Sequence, residues 1–136
     1  MIVDDRSEGF AAFGLDGWVE DPLLVGGNAR RLAPGGAANW RIRVPSDGHW
    51  YLYVQWDARP DQDGQAIYTV RSGEALREIV VDQRYHGGHW WPLGDDCLRG
   101  GTEIEVTLTG SGTTPLSADA VRLGGGSYTL MLPWSN

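Results

Sequence analysis

The stretch HWYLYVQWD, from His49 to Asp57, is the clearest strand signal in the sequence. Side chains at every second position of a strand lie on the same face of its sheet. One face of this strand therefore carries Trp50, Leu52, Val54 and Trp56, and the other carries Tyr51, Tyr53 and Gln55. Because both faces are partly apolar, the pattern predicts a strand in the interior of its sheet.

Short runs with the same two-residue period lie on both sides of this strand. Asn39–Val44 and Glu103–Leu108 each place apolar side chains on one face and polar side chains on the other. Further strands are predicted at residues 1–4, 65–71, 77–82, 90–93 and 118–123. Clusters of Gly, Pro, Asp and Asn separate these runs, and no stretch has the period of an amphipathic helix. About eight short strands between such turns predict an all-β fold, an antiparallel β-sandwich.

The length and composition bound the organisation of the chain. Its 136 residues fit one domain. We assign residues 1–123 to the β-sandwich domain and residues 124–136 to a glycine hinge and a short, apolar, extended C-terminal arm. Cys97 is the single cysteine, which excludes an internal disulfide. No run of about 18 apolar residues is present, so no membrane span is expected. Residues 1–30 lack a basic start followed by an apolar run, so we expect no secretory signal.

The charge balance argues against nucleic acid as a partner. The sequence contains 11 basic and 18 acidic residues, a net charge of −7, and all the basic residues are arginines. An acidic domain without a basic stripe is poorly suited to a phosphate backbone.

A series of short motifs follows in a fixed order from residue 2 to residue 123. They are Ile2–Asp5, Gly9-Phe10, Gly17-Trp18, Ala38–Trp40, Gly48–Trp56, Ala66–Val70, Val81–Gln83, Gly87–Trp90 with Leu93-Gly94, and Ala118–Leu123. This ordered set resembles the golvesin C-terminal-like domain, also called the xanthan-lyase-type carbohydrate-binding-like domain. The resemblance implies a jelly-roll β-sandwich similar to carbohydrate-binding modules, which are usually appended to secreted enzymes or surface proteins. It also implies that Trp90, which matches the family tryptophan, lies in the core.

Aromatic and polar residues are concentrated between Arg84 and Pro92. Sugar recognition uses flat exposed rings beside polar groups, because the C–H faces of a pyranose pack on aromatic faces. The candidate ligand-binding residues in this segment are Trp91, Tyr85, Arg84, His86 and His89. Trp91 is the best candidate, since the strand period places it on the face opposite Trp90. Tyr51 and Tyr53 form a second candidate platform, although rings of a sandwich also serve in its cores and sheet covers.

Asp119 lies in an apolar strand near the C-terminal edge of the domain. Similar sugar-binding jelly rolls often pair such an aspartate with an N-terminal acidic residue to hold a structural calcium ion, and Asp4 or Asp5 is the candidate partner here. A buried aspartate can equally accept backbone N–H groups or pair with an arginine such as Arg122. Both interpretations of Asp119 stay open at this point, and no other cofactor is expected.

No arrangement in the sequence points to catalysis. None of the serines lies in a Gly-x-Ser-x-Gly motif. Cys97 follows Asp95-Asp96, an acidic setting that raises the pKa of a thiol rather than activating it. The adjacent carboxylates Asp4-Asp5 and Asp95-Asp96 point to opposite faces if they lie on strands. We therefore expect a protein that is not an enzyme.

The C-terminal arm is apolar and carries no charged residue. Tyr128, Leu130, Leu132 and Trp134 alternate with other residues after three glycines. An apolar strand left in water promotes aggregation, so the arm is expected to be covered by its own domain or by a neighbouring chain.

Two functions are consistent with these observations. The first is a non-catalytic β-sandwich module that binds carbohydrate or a cell-surface glycan. The alternative is a structural or decoration protein of a larger assembly, such as a phage capsid or tail, which docks other subunits through the arm. Without an export signal, the expected location is a virion or another assembly, or the extracellular space if the chain is a piece of a larger exported protein.

Overall fold

The computed structural model describes residues 1–4, 8–20 and 28–127. Strands account for most of them: β1 Ile2–Val3, β2 Phe10–Glu20, β3 Asn28–Arg43, β4 Gly48–Gln55, β5 Ala66–Ser72, β6 Ala75–Val81, β7 Trp91–Leu98, β8 Glu103–Thr109, β9 Leu116–Ala118 and β10 Ala120–Ser127. No helix within these described ranges has the length and apolar character needed to cross a membrane.

The strands form two antiparallel sheets. The smaller sheet has the order β1-β10-β4-β7, and the larger has the order β2-β3-β8-β5-β6 with β9 paired to β3. Strand β4, which contains most of the 49–57 stretch, lies between β10 and β7. The predicted antiparallel β-sandwich and the interior position of this strand are both confirmed.

The hydrophobic core fills the space between the two sheets. All four side chains assigned to the apolar face of β4 and its extension are buried, namely Trp50, Leu52, Val54 and Trp56. The Trp56 ring lies 6.4 Å from that of Tyr68, which in turn lies 6.3 Å from Trp40, measured between centroids. Tilted aromatic pairs of this kind contribute roughly 0.5–1.5 kcal/mol each beyond the area that they bury. The core thus joins rings from both sheets.

Strand β2 and the first half of β3 were not predicted from the sequence. Their pairing is interrupted twice, between Phe13 and Leu15 and between Leu15 and Gly17. Residues 33–36 have no partner in this ladder, since Phe13 pairs with Ala37 and Leu15 pairs with Leu32. Glycines with positive φ, such as Gly35 at 86°, accommodate the irregularity. The Pro-Gly-Gly sequence at 34–36 therefore marks a bulge within a long strand and not its boundary.

The three glycines assigned to a hinge continue strand β10. Gly124 pairs with Tyr51 and Gly125 pairs with Trp50 across to β4. At Gly126, whose φ is 87°, a Cβ atom would lie 2.6 Å from the Trp50 ring, so the ring packs where only glycine leaves room. The rest of the predicted arm, with Tyr128, Leu130, Leu132 and Trp134, lies outside the described residues.

Candidate functional site

The loop between β6 and β7, residues 82–90, is fixed to the core by Trp56. The buried Trp56 ring donates a hydrogen bond from Nε1 to the Tyr85 carbonyl oxygen at 2.9 Å, and the Trp56 carbonyl accepts one from the Gly88 N–H at 3.0 Å. At Gly87, between these two bonds, a Cβ atom would lie within 2.6 Å of two atoms of Ala58. The loop backbone is therefore held tightly against the end of β4.

Gln83 fixes the start of the same loop. Its fully buried amide donates to the Tyr68 hydroxyl at 3.1 Å and to the Ser117 carbonyl at 2.9 Å, and its Oε1 accepts the Ser117 N–H at 2.9 Å. A buried amide with its partners in place specifies one arrangement of the chain. The loop is thus preorganised at both ends.

Trp91, the first residue of β7, is partly buried and packs against the core. Its ring meets the Trp56 ring edge to face at 6.1 Å, and the His86 imidazole stacks on it at 4.9 Å with an interplanar angle of 29°. His86 has a φ of 61°, the one non-glycine residue with positive φ in the described part of the chain. The loop therefore holds the His86 imidazole over Trp91, which the sequence analysis gave as the best ligand-binding candidate.

Trp90 and Trp91 are both half-buried and do not occupy their expected positions. Trp91 pairs with Val54, whose side chain is fully buried, and so points inward. A bulge in the β4–β7 ladder, between Leu52 and Tyr53, sets this register. Trp90 is half-buried and lies beneath the Arg122 guanidinium, 5.8 Å from its ring centroid. The expectation of Trp90 in the core and Trp91 exposed is therefore corrected.

Arg122 connects Trp90 to the second candidate platform. The guanidinium lies 5.4 Å from the ring centroid of Tyr53, so one cation lies against two rings on the outer face of the smaller sheet. Tyr51 is exposed on the same face, with its ring 4.9 Å from that of His49. The structure thus places both Tyr53 and Trp90 against Arg122, an arrangement that the sequence analysis did not predict. Only the strand register, in which Arg122 pairs with Tyr53, reveals the role of the arginine.

Arg84, Tyr85 and His89 lie on the exposed side of the loop. Tyr85 is 59% exposed, and the Arg84 guanidinium lies 5.7 Å from its ring centroid. Arg84 also bonds Asp82 through Nε and Nη2, at 2.9 and 2.8 Å, which lowers the pKa of that carboxyl group. His89 is exposed without a ring partner within the described ranges.

The two candidate metal ligands lie near adjoining strand ends. Asp119 is fully buried between β9 and β10, and its carbonyl oxygen accepts the Trp40 Nε1–H at 3.3 Å. Burial raises the pKa of Tyr68, and the Asp119 carboxylate raises it further. Val3 pairs with Val121, so the next position along β1, Asp4, comes beside the β10 start that follows Asp119. Carboxylate oxygens suit calcium, although no group of three or more His, Cys, Asp or Glu side chains in the described ranges is arranged to hold a metal.

The sequence analysis did not find one cluster of ionisable side chains, which is formed by His49, Asp95 and Cys97. The buried His49 places Nε2 at 2.6 Å from Asp95 Oδ2 and Nδ1 at 3.6 Å from Cys97 Sγ. These residues meet because β4 pairs with β7, and His49 is opposite Cys97. Burial raises the pKa of the Cys97 thiol, and Asp96 and Asp95 raise it further. The predicted effect of the acidic setting is confirmed, and the thiolate needed for nucleophilic attack is disfavoured.

Two packed antiparallel sheets with an aromatic loop at one end make this a jelly-roll β-sandwich domain. The chain belongs to the golvesin C-terminal domain family, which matches residues 28–125. The resemblance noted in the sequence is thereby confirmed. None of the curated proteins matches the chain in sequence.

Several solved structures share the fold. Paenibacillus xanthan lyase superposes with a TM-score of 0.76 and 21% identity, over 90% of this chain and 12% of the lyase. A family 35 carbohydrate-binding module from Clostridium thermocellum gives a TM-score of 0.63 and 14% identity, over 92% of this chain and 98% of the module. A CBM35 module from Cellvibrio japonicus gives 0.60 and 18%, over 93% and 94%. The chain therefore spans a small fraction of the lyase and nearly the whole of each carbohydrate-binding module.

At 14–21% identity, these structures show the fold that this domain shares with them. Two of the three structures are carbohydrate-binding modules of the same size as this domain. None of the three is described as a virion component, so the phage-assembly alternative receives no support.

Proposed function

We propose that this domain is a non-catalytic module that binds carbohydrate through one aromatic surface. This aromatic surface comprises Tyr53, Trp90 and Arg122 on the outer face of the smaller sheet, and the exposed residues Tyr85 and His86 in the adjoining loop. The observation that carries the proposal is the Arg122 guanidinium, which lies against the Tyr53 and Trp90 rings at 5.4 and 5.8 Å.

The chemistry of a pyranose ring fits this arrangement. Its apolar C–H face packs on an aromatic ring, while its equatorial hydroxyls need planar donors at the ring edge. Arginine presents five N–H donors in a rigid plane, and contacts with the Tyr53 and Trp90 rings hold the Arg122 guanidinium in place. One arginine can then donate to a sugar that also contacts a neighbouring ring.

The rigidity of the loop favours binding. Trp56 bonds the loop backbone at both Tyr85 and Gly88, so the backbone positions of Tyr85 and His86 are ordered before a ligand arrives. Ordering them in advance lowers the entropy cost of association. The names of the two family 35 modules support carbohydrate as the ligand class. Modules of this kind are suited to extracellular proteins, and we infer that this chain is extracellular.

We also propose a structural calcium ion at Asp119, with Asp4 as the second carboxylate. The ion would supply positive charge where these two acidic residues approach the joined ends of β1 and β10. Its role would be to stabilise the domain, and no step of recognition depends on it.

The test measures binding of the chain to neutral and acidic polysaccharides and to bacterial cell walls. Tryptophan fluorescence and calorimetry detect the binding. We expect saturable binding that weakens at least tenfold in Arg122→Ala and in Tyr85→Ala. Tyr85 is mostly exposed, so its substitution leaves the fold intact. Val80→Ala, which alters an exposed residue of β6 in the other sheet, is the matched control. Absence of binding to the whole panel, or full affinity in both variants, would refute the proposal.

A further inference from the structure

A second surface suited to a sugar chain lies on the outer face of the larger sheet. Ala11, Phe13, Ala37, Asn39 and Thr107 line a hollow of about 320 Å³ there, which we call the sheet-face groove. A second hollow of about 300 Å³ continues it past Ala11 and Asn39 to Glu8 and Arg41.

Small side chains create the groove. Ala37 pairs with Phe13, and Ala11 pairs with Asn39, so two alanines form its floor beside a large ring. Phe13 is 65% exposed, and the bulge that follows it in β2 breaks the regular ladder at this point. Alanine is depleted in strands, and bulges often redirect a side chain next to a functional site.

Polar groups in the middle of the groove keep hydrogen-bonding capacity. Asn39 donates through Nδ2 to Thr107 Oγ1 at 3.0 Å. The amide still has its carbonyl oxygen and its second N–H, and the threonine still has its O–H donor. An aromatic ring followed by an amide and a hydroxyl matches the alternation of C–H faces and hydroxyl edges along a glycan.

The dimensions of the groove disfavour a protein partner. The distance from Ala37 to Arg41 is about 13 Å and three strands span about 10 Å, which gives about 130 Å². A stable interface between two copies of the chain buries about 800 Å² on each partner. The groove is therefore sized for a short oligosaccharide.

The charges favour a neutral sugar. Arg41 is paired with Glu105 through Nε and Oε2 at 3.2 Å, and Glu8 adds a carboxylate at the same end. No unbalanced positive charge among the residues lining the two hollows is available for an acidic sugar. The geometry points to a second glycan-binding site in the sheet-face groove, which takes a neutral oligosaccharide. For its ligand class this inference rests on the proposed function.

The test is an NMR titration of the full chain with cellohexaose, xylohexaose and mannohexaose. At least one of them should shift the amides of residues 11–13, 37–39 and 107. In Phe13→Ala these shifts should require at least tenfold more ligand, while any shifts of residues 84–91 and 122 stay unchanged. Thr107→Val removes a hydroxyl without changing the side-chain shape and should weaken binding in the same way. Leu76→Ala, at a residue 58% exposed on the same sheet, is the control and should bind normally.

Each outcome separates this inference from the proposed function. Shifts confined to the aromatic surface would overturn the second site and leave the proposed function standing. Shifts confined to the groove would support the second site and contradict the proposed one. If none of the three oligosaccharides causes a shift, this inference is overturned. The proposed function would then still be decided by the panel of polysaccharides and bacterial cell walls. Groove shifts that grow with protein concentration in the absence of sugar would show that a second copy occupies the groove, and would also overturn it.

Discussion

The carboxylate of Asp119 is fully buried beside the aromatic core. Its charge is felt by Tyr68, whose pKa burial already raises. A buried carboxylate costs free energy unless hydrogen bonds or a cation compensate it. The residue is therefore structural whichever of these groups compensates its charge.

We predict that Asp119→Ala lowers the free energy of unfolding by about 1–3 kcal/mol, because removal of the fully buried side chain leaves its interaction partner unpaired in the core. Asp119→Asn preserves the shape and isolates the contribution of the charge. Thermal denaturation in calcium and in chelator measures both effects. A melting temperature shifted by less than about 1 °C in Asp119→Ala would contradict the structural role.

The same measurement tests the calcium proposal. Calcium should raise the melting temperature of the unmodified chain and have little effect on Asp119→Ala, because a ligand that binds only the folded state stabilises it. Equal responses to calcium in the two proteins would refute the proposed site and leave the structural role of Asp119 untouched.

The contacts of Arg122 show which part of the site the sequence can predict. The alternation of residues 118–123 places Arg122 on the face opposite Val121 and Leu123. Its approach to Tyr53 depends on the register of β10 against β4, and its approach to Trp90 depends on the bulge at the start of β7. Local periodicity predicts the face of a strand, whereas contacts between distant strands require the register.

At the scale of elements, Asp63 joins three connecting segments. Its side chain accepts hydrogen bonds from Ser111, through N at 2.8 Å and Oγ at 2.7 Å, and from the Gln65 N–H at 2.8 Å. Its backbone donates to the Pro115 carbonyl and accepts from the Gln83 N–H. Burial alone would raise the pKa of Asp63, but these hydrogen bonds outweigh it and hold the pKa below its ordinary value.

This pKa shift predicts an acid-dependent loss of stability. A folded-state pKa below that of the unfolded chain, about 3.9, stabilises the fold above that pH. The contribution disappears as the pH falls through the lower folded-state pKa. We expect Asp63→Asn to reduce the free energy of unfolding by about 1.5–3 kcal/mol near neutral pH, with the two proteins converging in acid.

Melting temperatures measured from about pH 2 to about pH 7 check this expectation, because this range includes the reference pKa of an aspartate, about 3.9. Asp61→Asn is the matched control, because Asp61 is exposed and its ion pair with Arg31 at 2.7 Å contributes little. A constant difference between Asp63→Asn and the unmodified chain over the whole range would contradict the titration of Asp63.

The elements that the sequence predicts are those with an unbroken two-residue period. Strand β8 follows such a period from end to end and β4 follows it from Trp50 to Val54, and both strands were predicted. Strand β3 contains the Pro34-Gly35-Gly36 bulge, and β2 pairs along it with two irregularities. These three residues favour a turn, and they do interrupt the pairing of β3 with β2. Strand β3 nevertheless stays in the sheet, because it pairs with β2 on one side and with β8 and β9 on the other. Tertiary pairing thus overrides the local signal.

At the scale of the whole molecule, the two proposed sugar surfaces belong to different sheets. The aromatic surface lies on the outer face of the sheet containing β4, and the sheet-face groove lies on the outer face of the sheet containing β3. Outer faces of a sandwich point in opposite directions. A domain with both sites occupied would connect two glycan chains, and the gain in avidity would depend on their spacing.

The C-terminal arm is relevant to the assembly and the stability of the whole molecule. Strand β10 runs to Ser127, which pairs with His49, and the remaining sequence alternates Tyr128, Leu130, Leu132 and Trp134 with other uncharged residues. Such a segment is soluble only when it is covered. We therefore expect deletion of residues 128–136 to change the assembly or the stability of the protein.

Sedimentation and thermal denaturation of the truncated chain distinguish the two kinds of cover. If the arm covers its own domain, the truncated chain keeps the oligomeric state of the full chain and melts at a lower temperature, because the apolar surface that becomes exposed costs roughly 25 cal/mol per Å². If the arm adds to a neighbouring chain, the full chain sediments as an oligomer and the truncated chain as a monomer. A truncated protein with the same oligomeric state, solubility and melting temperature would show that the arm covers nothing, and the expectation drawn from its sequence would then be wrong.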